Sequence, residues 1–155
     1  VPAAGANMMS RGDPSKKMSK SDPNVNSFVL MTDDRDTIVR KFKRAVTDSE
    51  GSVRFDVQNK PGVSNLMTIY SAFTGKAMAD IEAEFAGKGY GDFKLAVAET
   101  VADALVPIQT AYGRILADKA YVDGVLKDGA ARASRLADRL VAKVYRKVGL
   151  LQPER

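Results

Sequence analysis

This 155-residue sequence contains no cysteine and no histidine. Without cysteine the chain can form no disulfide, no thiolate nucleophile and no cysteine-ligated metal site, which is typical of proteins from a reducing cytoplasm. Without histidine it can carry no Ser-His-Asp triad, no imidazole acid–base chemistry and no histidine metal site. Carboxylates, lysines, hydroxyls and backbone groups remain for chemistry, and we expect no metal site.

Long apolar runs are also missing, since no stretch approaches the roughly 18 residues that a membrane span requires. The apolar fraction of 45% and the charged fraction of 28% are those of a soluble globular protein. The sequence opens on Val1 and lacks the basic start and apolar core of a secretion signal. We therefore expect a cytoplasmic protein without a membrane segment, and we interpret Val1 as an internal position of a longer chain.

The net charge of +5 is concentrated near the C-terminus. Residues 1–129 hold 17 Lys and Arg against 17 Asp and Glu, whereas residues 130–155 hold seven against two. The excess positive charge therefore lies in the last part of the chain.

Residues 1–27 are rich in Gly, Pro, Ser, Asn and Lys, contain two Asp-Pro steps and show no apolar period. This composition predicts an irregular loop, and we expect it to be disordered because it has no apolar anchor of its own. The short apolar run from Ser27 to Met31 could be one strand or a packed lead-in to the next element. We take 1–27 as one segment and 28–155 as a helical domain.

Apolar spacing predicts five helices after this segment, and hence a mainly α protein built as an antiparallel helical bundle. The first helix should begin after Thr32 as its N-cap, with an inner face of three residues: Ile38, Phe42 and Val46. The second opens at Pro61 and stops at Gly75. A short third helix is centred on Ile81. Between the first two helices, residues 53–57 alternate in a pattern that is typical of a short strand.

The last two predicted helices are long. The fourth runs from about 92 to 117, and Pro107 should kink it; its inward residues should be Phe93, Val97, Val101, Leu105, Ile108, Tyr112 and Ile115. The fifth spans about 119 to 148. Its apolar seam should consist of Val122, Leu126, Ala133, Leu136, Leu140 and Val144.

The segment Lys17-Met18-Ser19-Lys20-Ser21 carries the clearest chemical signal. Two lysines three positions apart, among small hydroxyl residues, are suited to holding polyphosphate through charge and hydrogen bonds. They provide no acid or base. From charge alone, most such segments are simply solvated loops.

The text around this segment changes that interpretation. The sequence KMSKS, followed by Asp22-Pro23-Asn24, is similar to the second signature of the class I aminoacyl-tRNA synthetases. Three later segments resemble the bacterial tryptophanyl members of that class in order and spacing, over essentially the whole chain: Ala45–Gly51, Pro61–Leu66 and Gly87–Gly91.

The resemblance implies ATP-dependent activation of tryptophan to its adenylate and transfer to the matching tRNA, with ATP and Mg²⁺ as substrate. It implies catalytic roles for Lys17 and Lys20 and an ATP site formed by these two with Met8, Met18, Ser19 and Ser21. Asn7 stands where an arginine is common in these enzymes. The paired-histidine signature of the class is missing, which implies that the Rossmann domain and the tryptophan pocket precede Val1 and that these residues alone are inactive. It also implies a homodimer in the parent enzyme, with contacts mainly outside this chain.

Five basic residues recur at intervals of three or four on one face of the predicted fifth helix: Arg132, Arg135, Arg139, Lys143 and Arg146. We call this set the basic stripe. It could follow an RNA backbone, or it could be the solvated face that any bundle needs. The resemblance favours contact with tRNA. A non-catalytic helical RNA-binding module, or a purely structural bundle, remains open. The glycine-rich segment Gly87–Gly91 follows a helix and is expected to be a turn, not a phosphate loop.

Overall fold

The computed structural model describes residues 7–151 and is helical. Its five helices are α1 (Arg35–Lys43), α2 (Pro61–Thr74), α3 (Met78–Glu84), α4 (Tyr90–Ala117) and α5 (Lys119–Val148). Over the described range there is no strand, and the one β-type pairing is an isolated antiparallel bridge between Met9 and Lys17. The predicted mainly α fold is confirmed. None of the helices in 7–151 is long and apolar enough to cross a membrane.

The fold divides into two units, Val1–Gln109 and Thr110–Arg155, with the boundary inside α4. The first unit holds the core. Its buried apolar residues come from the segment before α1, from α1 to α3 and from the first half of α4, and the largest are Phe42, Phe93, Ile38, Leu66, Met67 and Ile81. Three rings pack edge to face within it: Tyr70, Phe85 and Phe93.

The first helix starts two residues later than predicted. Its N-cap is Asp34, whose side chain accepts a hydrogen bond from the backbone N–H of Thr37, and not Thr32. Asp33 is used elsewhere, because its carboxylate accepts from Leu30 N–H and pairs with Lys41 at 2.6 Å. Ile38 and Phe42 form the buried face as predicted, but Val46 lies beyond the helix and is exposed.

The second helix has the predicted ends. Pro61 occupies its first position, where its missing N–H leaves no unpaired donor. Gly75 closes it in the left-handed conformation at φ 73°, with its N–H bonded to the carbonyl of Ser71. A side chain at such a φ is strained, so glycine is the residue suited to this cap.

Residues 53–57, predicted as a possible strand, are irregular. Their backbone donors bond to side chains instead of to a second strand: Phe55 N–H donates to the Glu82 carboxylate and Asp56 N–H to the Ser64 hydroxyl. The alternating pattern was misleading because no partner strand exists among the described residues. Ser27–Met31 is likewise a packed lead-in, with Phe28 buried.

The second unit contains the end of α4 and all of α5. Asp118 caps α5 by accepting from Tyr121 N–H, and Gly149 ends it at φ 73°. The predicted seam is not a core, because no residue of α5 is buried. In α4 the predicted inward face holds as far as Leu105, whereas Ile108, Tyr112 and Ile115 are exposed.

Candidate functional site

The KMSKS segment, Lys17–Ser21, is paired with the strip Met8–Ser10 that precedes it. Met18 N–H donates to the Met8 carbonyl at 2.9 Å, and Ser10 N–H donates to the Lys16 carbonyl at 2.8 Å. The strip and the start of the KMSKS segment therefore form the two sides of a tight hairpin. After Lys17 and Met18 the chain turns, since Asp22 N–H bonds to the Ser19 carbonyl and Ser21 N–H to the Ser19 hydroxyl.

The hairpin contains three lysines, Lys16, Lys17 and Lys20, which differ in whether they form an ion pair. Lys16 forms an ion pair with Asp13 at 2.9 Å. The Ser15 hydroxyl and Lys16 both hydrogen-bond to Asp13 and lower its pKa to about 2. Lys17 and Lys20 are exposed and form no ion pair with any residue in 7–151. Two ammonium groups are thus free for an external anion.

Met8 and Met18 are partly buried and line a small apolar cavity of about 140 Å³ beneath the hairpin. The other walls are Arg11 of the hairpin and residues of the lead-in, α1, α2 and α4: Val29, Met31, Phe42, Ile69, Phe73, Val101 and Leu105. The two methionines predicted to contact the nucleotide therefore share one apolar support. Asn7 is exposed at the start of the described residues.

The hairpin is fixed to the helical core by the side chain of Arg11. Its guanidinium lies 4.9 Å from the ring centre of Phe42 and donates to the Asn26 carbonyl at 3.1 Å. Burial lowers the pKa of Arg11 to about 10, against the opposing charge of Asp33. Its Nε has no hydrogen-bond partner in the described structure.

The backbone of Arg11 is fixed as well. Its N–H donates to the carbonyl of Ser27, and its carbonyl accepts from Val46 N–H. The expectation that residues 1–27 are disordered for want of an anchor is therefore wrong for residues 7–27, because Arg11 and Met8 supply one. Residues 1–6 lie outside the described range.

A second polar group, the Lys60 cluster, consists of Asp48, Glu50, Lys60 and Tyr90. Lys60 is only 2% exposed, and its ammonium lies 3.1 Å from Asp48, 2.8 Å from Glu50 and 3.0 Å from the Tyr90 hydroxyl. Tyr90 in turn donates to Asp48 at 2.7 Å. Burial opposes the charge on Lys60, but these partners outweigh it and raise its pKa.

This cluster joins the three segments that carry the sequence resemblance. Asp48 and Glu50 lie in the first, Lys60 directly precedes the second, and Tyr90 lies in the third. Gly87, at φ 75°, forms the turn that leads from α3 to Tyr90, as expected of this glycine-rich stretch. The cluster has the burial and pairing of a structural junction.

The basic stripe lies on α5 in the second unit, and all five side chains are exposed. Arg132 makes a weak contact with Asp128 at 3.7 Å, and Arg146 donates back to the Ala142 carbonyl at 3.4 Å. The predicted face is present as a surface of positive charge. In the part of the chain that the structure describes, no group of three acidic, cysteine or histidine residues could hold a metal ion.

Three positioning residues were not found from the sequence: Asn65, Arg11 and Lys60. Asn65 lies within Pro61–Leu66, a stretch singled out only for its resemblance, and its side chain is bonded to Met9. Arg11 and Lys60 carry long charged side chains, which are rarely buried, so burial was not expected.

Comparison with known proteins gives a family match. The family described as tRNA synthetases class I (W and Y) matches residues 2–106. A tryptophan–tRNA ligase of Bacillus anthracis is 49% identical over 155 residues, which is 100% of this chain and 47% of that protein. The tryptophan–tRNA ligase of Bacillus subtilis (strain 168) is 47% identical over 150 residues, covering 97% of this chain and 45% of its own length.

A solved structure agrees with the sequence comparisons. The crystal structure of tryptophanyl-tRNA synthetase from Mycoplasma pneumoniae superposes with a TM-score of 0.72 at 32% identity, over 94% of this chain and 44% of that one. The chain therefore spans about half the length of the relatives that it matches.

Proposed function

The chain belongs to the class I tRNA synthetases of the tryptophan and tyrosine group, and from this membership we propose that it is the KMSKS-bearing and tRNA-binding part of a tryptophan–tRNA ligase. The whole enzyme would activate tryptophan with ATP and transfer it to its tRNA. In this proposal residues 1–27 end the catalytic domain and residues 28–155 form the helical domain. The nucleotide-binding fold and the tryptophan pocket would lie in the preceding part of a longer chain.

One observation carries the proposal. Lys17 and Lys20 form no ion pair within residues 7–151 and lie in a hairpin that is anchored through Met8 and Arg11, whereas the neighbouring Lys16 pairs with Asp13. Free ammonium groups on a fixed support favour binding of an external polyanion. Their sequence context supports ATP as that anion.

The proposed chemistry needs charge stabilisation more than acid or base groups. The tryptophan carboxylate attacks the α-phosphorus of ATP, and the bond to the bridging oxygen of pyrophosphate breaks. Lys17 and Lys20 would offset the negative charge that develops on the departing pyrophosphate, with Ser19 and Ser21 as hydrogen-bond donors. Met8 and Met18 would support the adenosine from the apolar side, and Mg²⁺ would enter with ATP.

The test is ATP–pyrophosphate exchange in the proposed full-length enzyme. Replacing Lys17 and Lys20 together with alanine should lower the exchange rate by about a hundredfold or more, as loss of a charge-stabilising donor does in other enzymes. Lys16→Ala is the matched control, since its charge already pairs with Asp13, and it should retain exchange. Normal exchange in the double variant would refute the proposal. We also expect no exchange from the 155-residue chain alone.

The basic stripe supplies the second part of the proposal. Its five cations face solvent, and Arg132 lies 3.7 Å from Asp128, so the surface is suited to follow phosphates of the tRNA. The proposed partners are therefore tRNA for tryptophan, ATP, and tryptophan through the preceding domain. Homodimerisation of the whole enzyme and a cytoplasmic location belong to the same proposal.

The competing function is a non-catalytic helical RNA-binding module in which KMSKS is coincidental. It predicts that the Lys17 and Lys20 double variant of the longer protein leaves adenylate formation unchanged and affects RNA binding alone. The hairpin favours the enzyme, because Met8 and Met18 line an apolar cavity next to the two lysines in sequence, and contacts with RNA phosphates alone need no such apolar surface.

A further inference from the structure

The side chain of Asn65, on α2, forms a double hydrogen bond with the backbone of Met9. Met9 N–H donates to Asn65 Oδ1 at 3.0 Å, and Asn65 Nδ2 donates to the Met9 carbonyl at 2.9 Å. The two residues are 56 positions apart, and Asn65 is buried, with 7% of its surface exposed. A helix side chain thus takes the pairing position of a neighbouring strand.

The strip Met8–Ser10 is consequently bonded on both edges. In an extended chain, the N–H and C=O of one residue point to one edge and those of its two neighbours to the other. Met9 points to Asn65, whereas Met8 and Ser10 point to the KMSKS side and bond to Met18 and Lys16. The strip therefore connects α2 directly to the KMSKS segment.

The same helix supports the side chains of this strip. Ile69 lies one turn after Asn65 on the same face of α2, and with Phe73 it lines the cavity shared by Met8 and Met18. The amide of Asn65 holds the backbone of Met9, and Ile69 lines the apolar cavity together with Met8 and Met18. α2 therefore positions the strip through its backbone and through its side chains.

From this geometry we propose that Asn65 is a positioning residue for the ATP-binding loop, which couples the helical domain to the placement of Met8, Lys17 and Met18. This inference rests on the proposed function for its kinetic consequences, but not for its structural ones. An amide is the suitable group, because it offers one donor and one acceptor side by side, as a backbone peptide does. Leucine branches at the same carbon but has neither group, and aspartate retains only the acceptor.

The structural test measures hydrogen exchange of single backbone amides in the 155-residue chain. In Asn65→Leu the amides of Met9 and Met18 should exchange about tenfold faster, the factor expected when a buried hydrogen bond is lost. The amide of Val97, in the core of α4, should keep its rate. Asn65→Asp should also speed exchange at Met9 and Met18 and not at Val97, but by a smaller factor. It provides a second variant if the leucine substitution prevents folding.

Ser64→Ala is the matched control, because Ser64 is the buried neighbour of Asn65 on α2 and bonds to Asp56, on a different segment. It should leave Met9 and Met18 unchanged. Faster exchange at Met9 without any change at Met18 would overturn the proposal, since Asn65 would then hold only its direct partner. Equal acceleration at Val97 would also overturn it, because the effect would then be general loss of stability.

The kinetic test uses ATP–pyrophosphate exchange in the proposed full-length enzyme. Asn65→Leu should raise the KM for ATP by about tenfold while the KM for tryptophan stays within about twofold. An equal change of both KM values, or no change of either, would overturn the positioning role. If the Lys17 and Lys20 double variant keeps full exchange, the proposed function itself fails, and the amide-exchange result still decides whether Asn65 fixes the loop.

Discussion

The ammonium group of Lys60 lies 3.1 Å from a carboxylate oxygen of Asp48, and the two residues close a loop of twelve positions between α1 and α2. Glu50, the Tyr90 hydroxyl and the Ser52 carbonyl also contact the ammonium of Lys60, whose side chain is only 1% exposed. A buried cation with several partners contributes mainly by making its removal costly, since the partners are left unpaired.

Replacing this cation gives the first prediction. Lys60→Met should lower the free energy of unfolding by about 3 kcal/mol, because Asp48 would lose its ammonium partner and the cationic contact left to Glu50 would be that with Arg54 at 3.9 Å. Urea unfolding measures the change. Lys43→Met is the control, an exposed lysine on α1, and it should change stability by less than about 0.5 kcal/mol. Equal effects of the two substitutions would contradict the role given to the cluster.

Asp48 predicts a pH dependence. Burial alone would raise its pKa, but hydrogen bonds from Tyr90, the Glu50 backbone and Lys60 outweigh burial and lower the pKa from 3.8 to about 2. A lowered folded-state pKa stabilises the fold above the ordinary value, and this stabilisation is lost as pH falls from 3.8 through about 2. Asp48→Asn should therefore be less stable than the parent at neutral pH, with a difference that shrinks in this window. Unfolding curves collected from pH 7 to pH 2 would contradict this if the difference stayed constant.

The ends of α2 were predictable because they rest on local chemistry. Pro61 at the first position of α2 and Gly75 at its end follow from the φ preferences of single residues. The possible strand at 53–57 failed for the opposite reason, since a strand exists only with a partner and the pattern of one segment cannot supply one. The seam of α5 shows the same limit: amphipathic spacing defines an apolar face, but not what covers it.

The candidate site was predictable in its chemistry and not in its support. Lys17 and Lys20 stand out as a motif, and the structure leaves both exposed. Asn65, Arg11 and Lys60 act through distant contacts, which no spacing rule encodes. Burial of Arg11 and Lys60 depends on partners such as Phe42 and Tyr90 that come from other elements.

Close packing at the start of α2 gives a steric prediction. A Cβ on Gly62 would lie 2.1 Å from the backbone carbonyl oxygen of Val46, a distance that requires the backbone to move. Gly62→Ala should cost about 2 to 3 kcal/mol of stability despite the better helix propensity of alanine. Gly91→Ala is the matched control, because Gly91 also follows the first residue of its helix and a Cβ there meets nothing within 4 Å. We expect it to be neutral or slightly stabilising in thermal unfolding.

The basic stripe makes a prediction about salt. If its arginines contact tRNA phosphates, each contact releases counterions, and the logarithm of the affinity falls with the logarithm of salt concentration by about 0.7 to 0.9 per contact. Arg135→Ala with Arg139→Ala in the proposed full-length enzyme should weaken tRNA binding and reduce this slope by about 1.5. The slope separates a phosphate contact from a general loss of affinity.

Lys127→Ala is the control for the stripe, since Lys127 is an exposed lysine of the same helix and lies about 120° away from the centre of the stripe at 100° per residue. It should leave both affinity and slope unchanged. Unchanged binding in the double arginine variant would mean that the stripe is only the solvated face of α5. If Lys127→Ala and the double arginine variant lost equal affinity for tRNA, binding would depend on net charge. The position of a cation on the helix would then not matter.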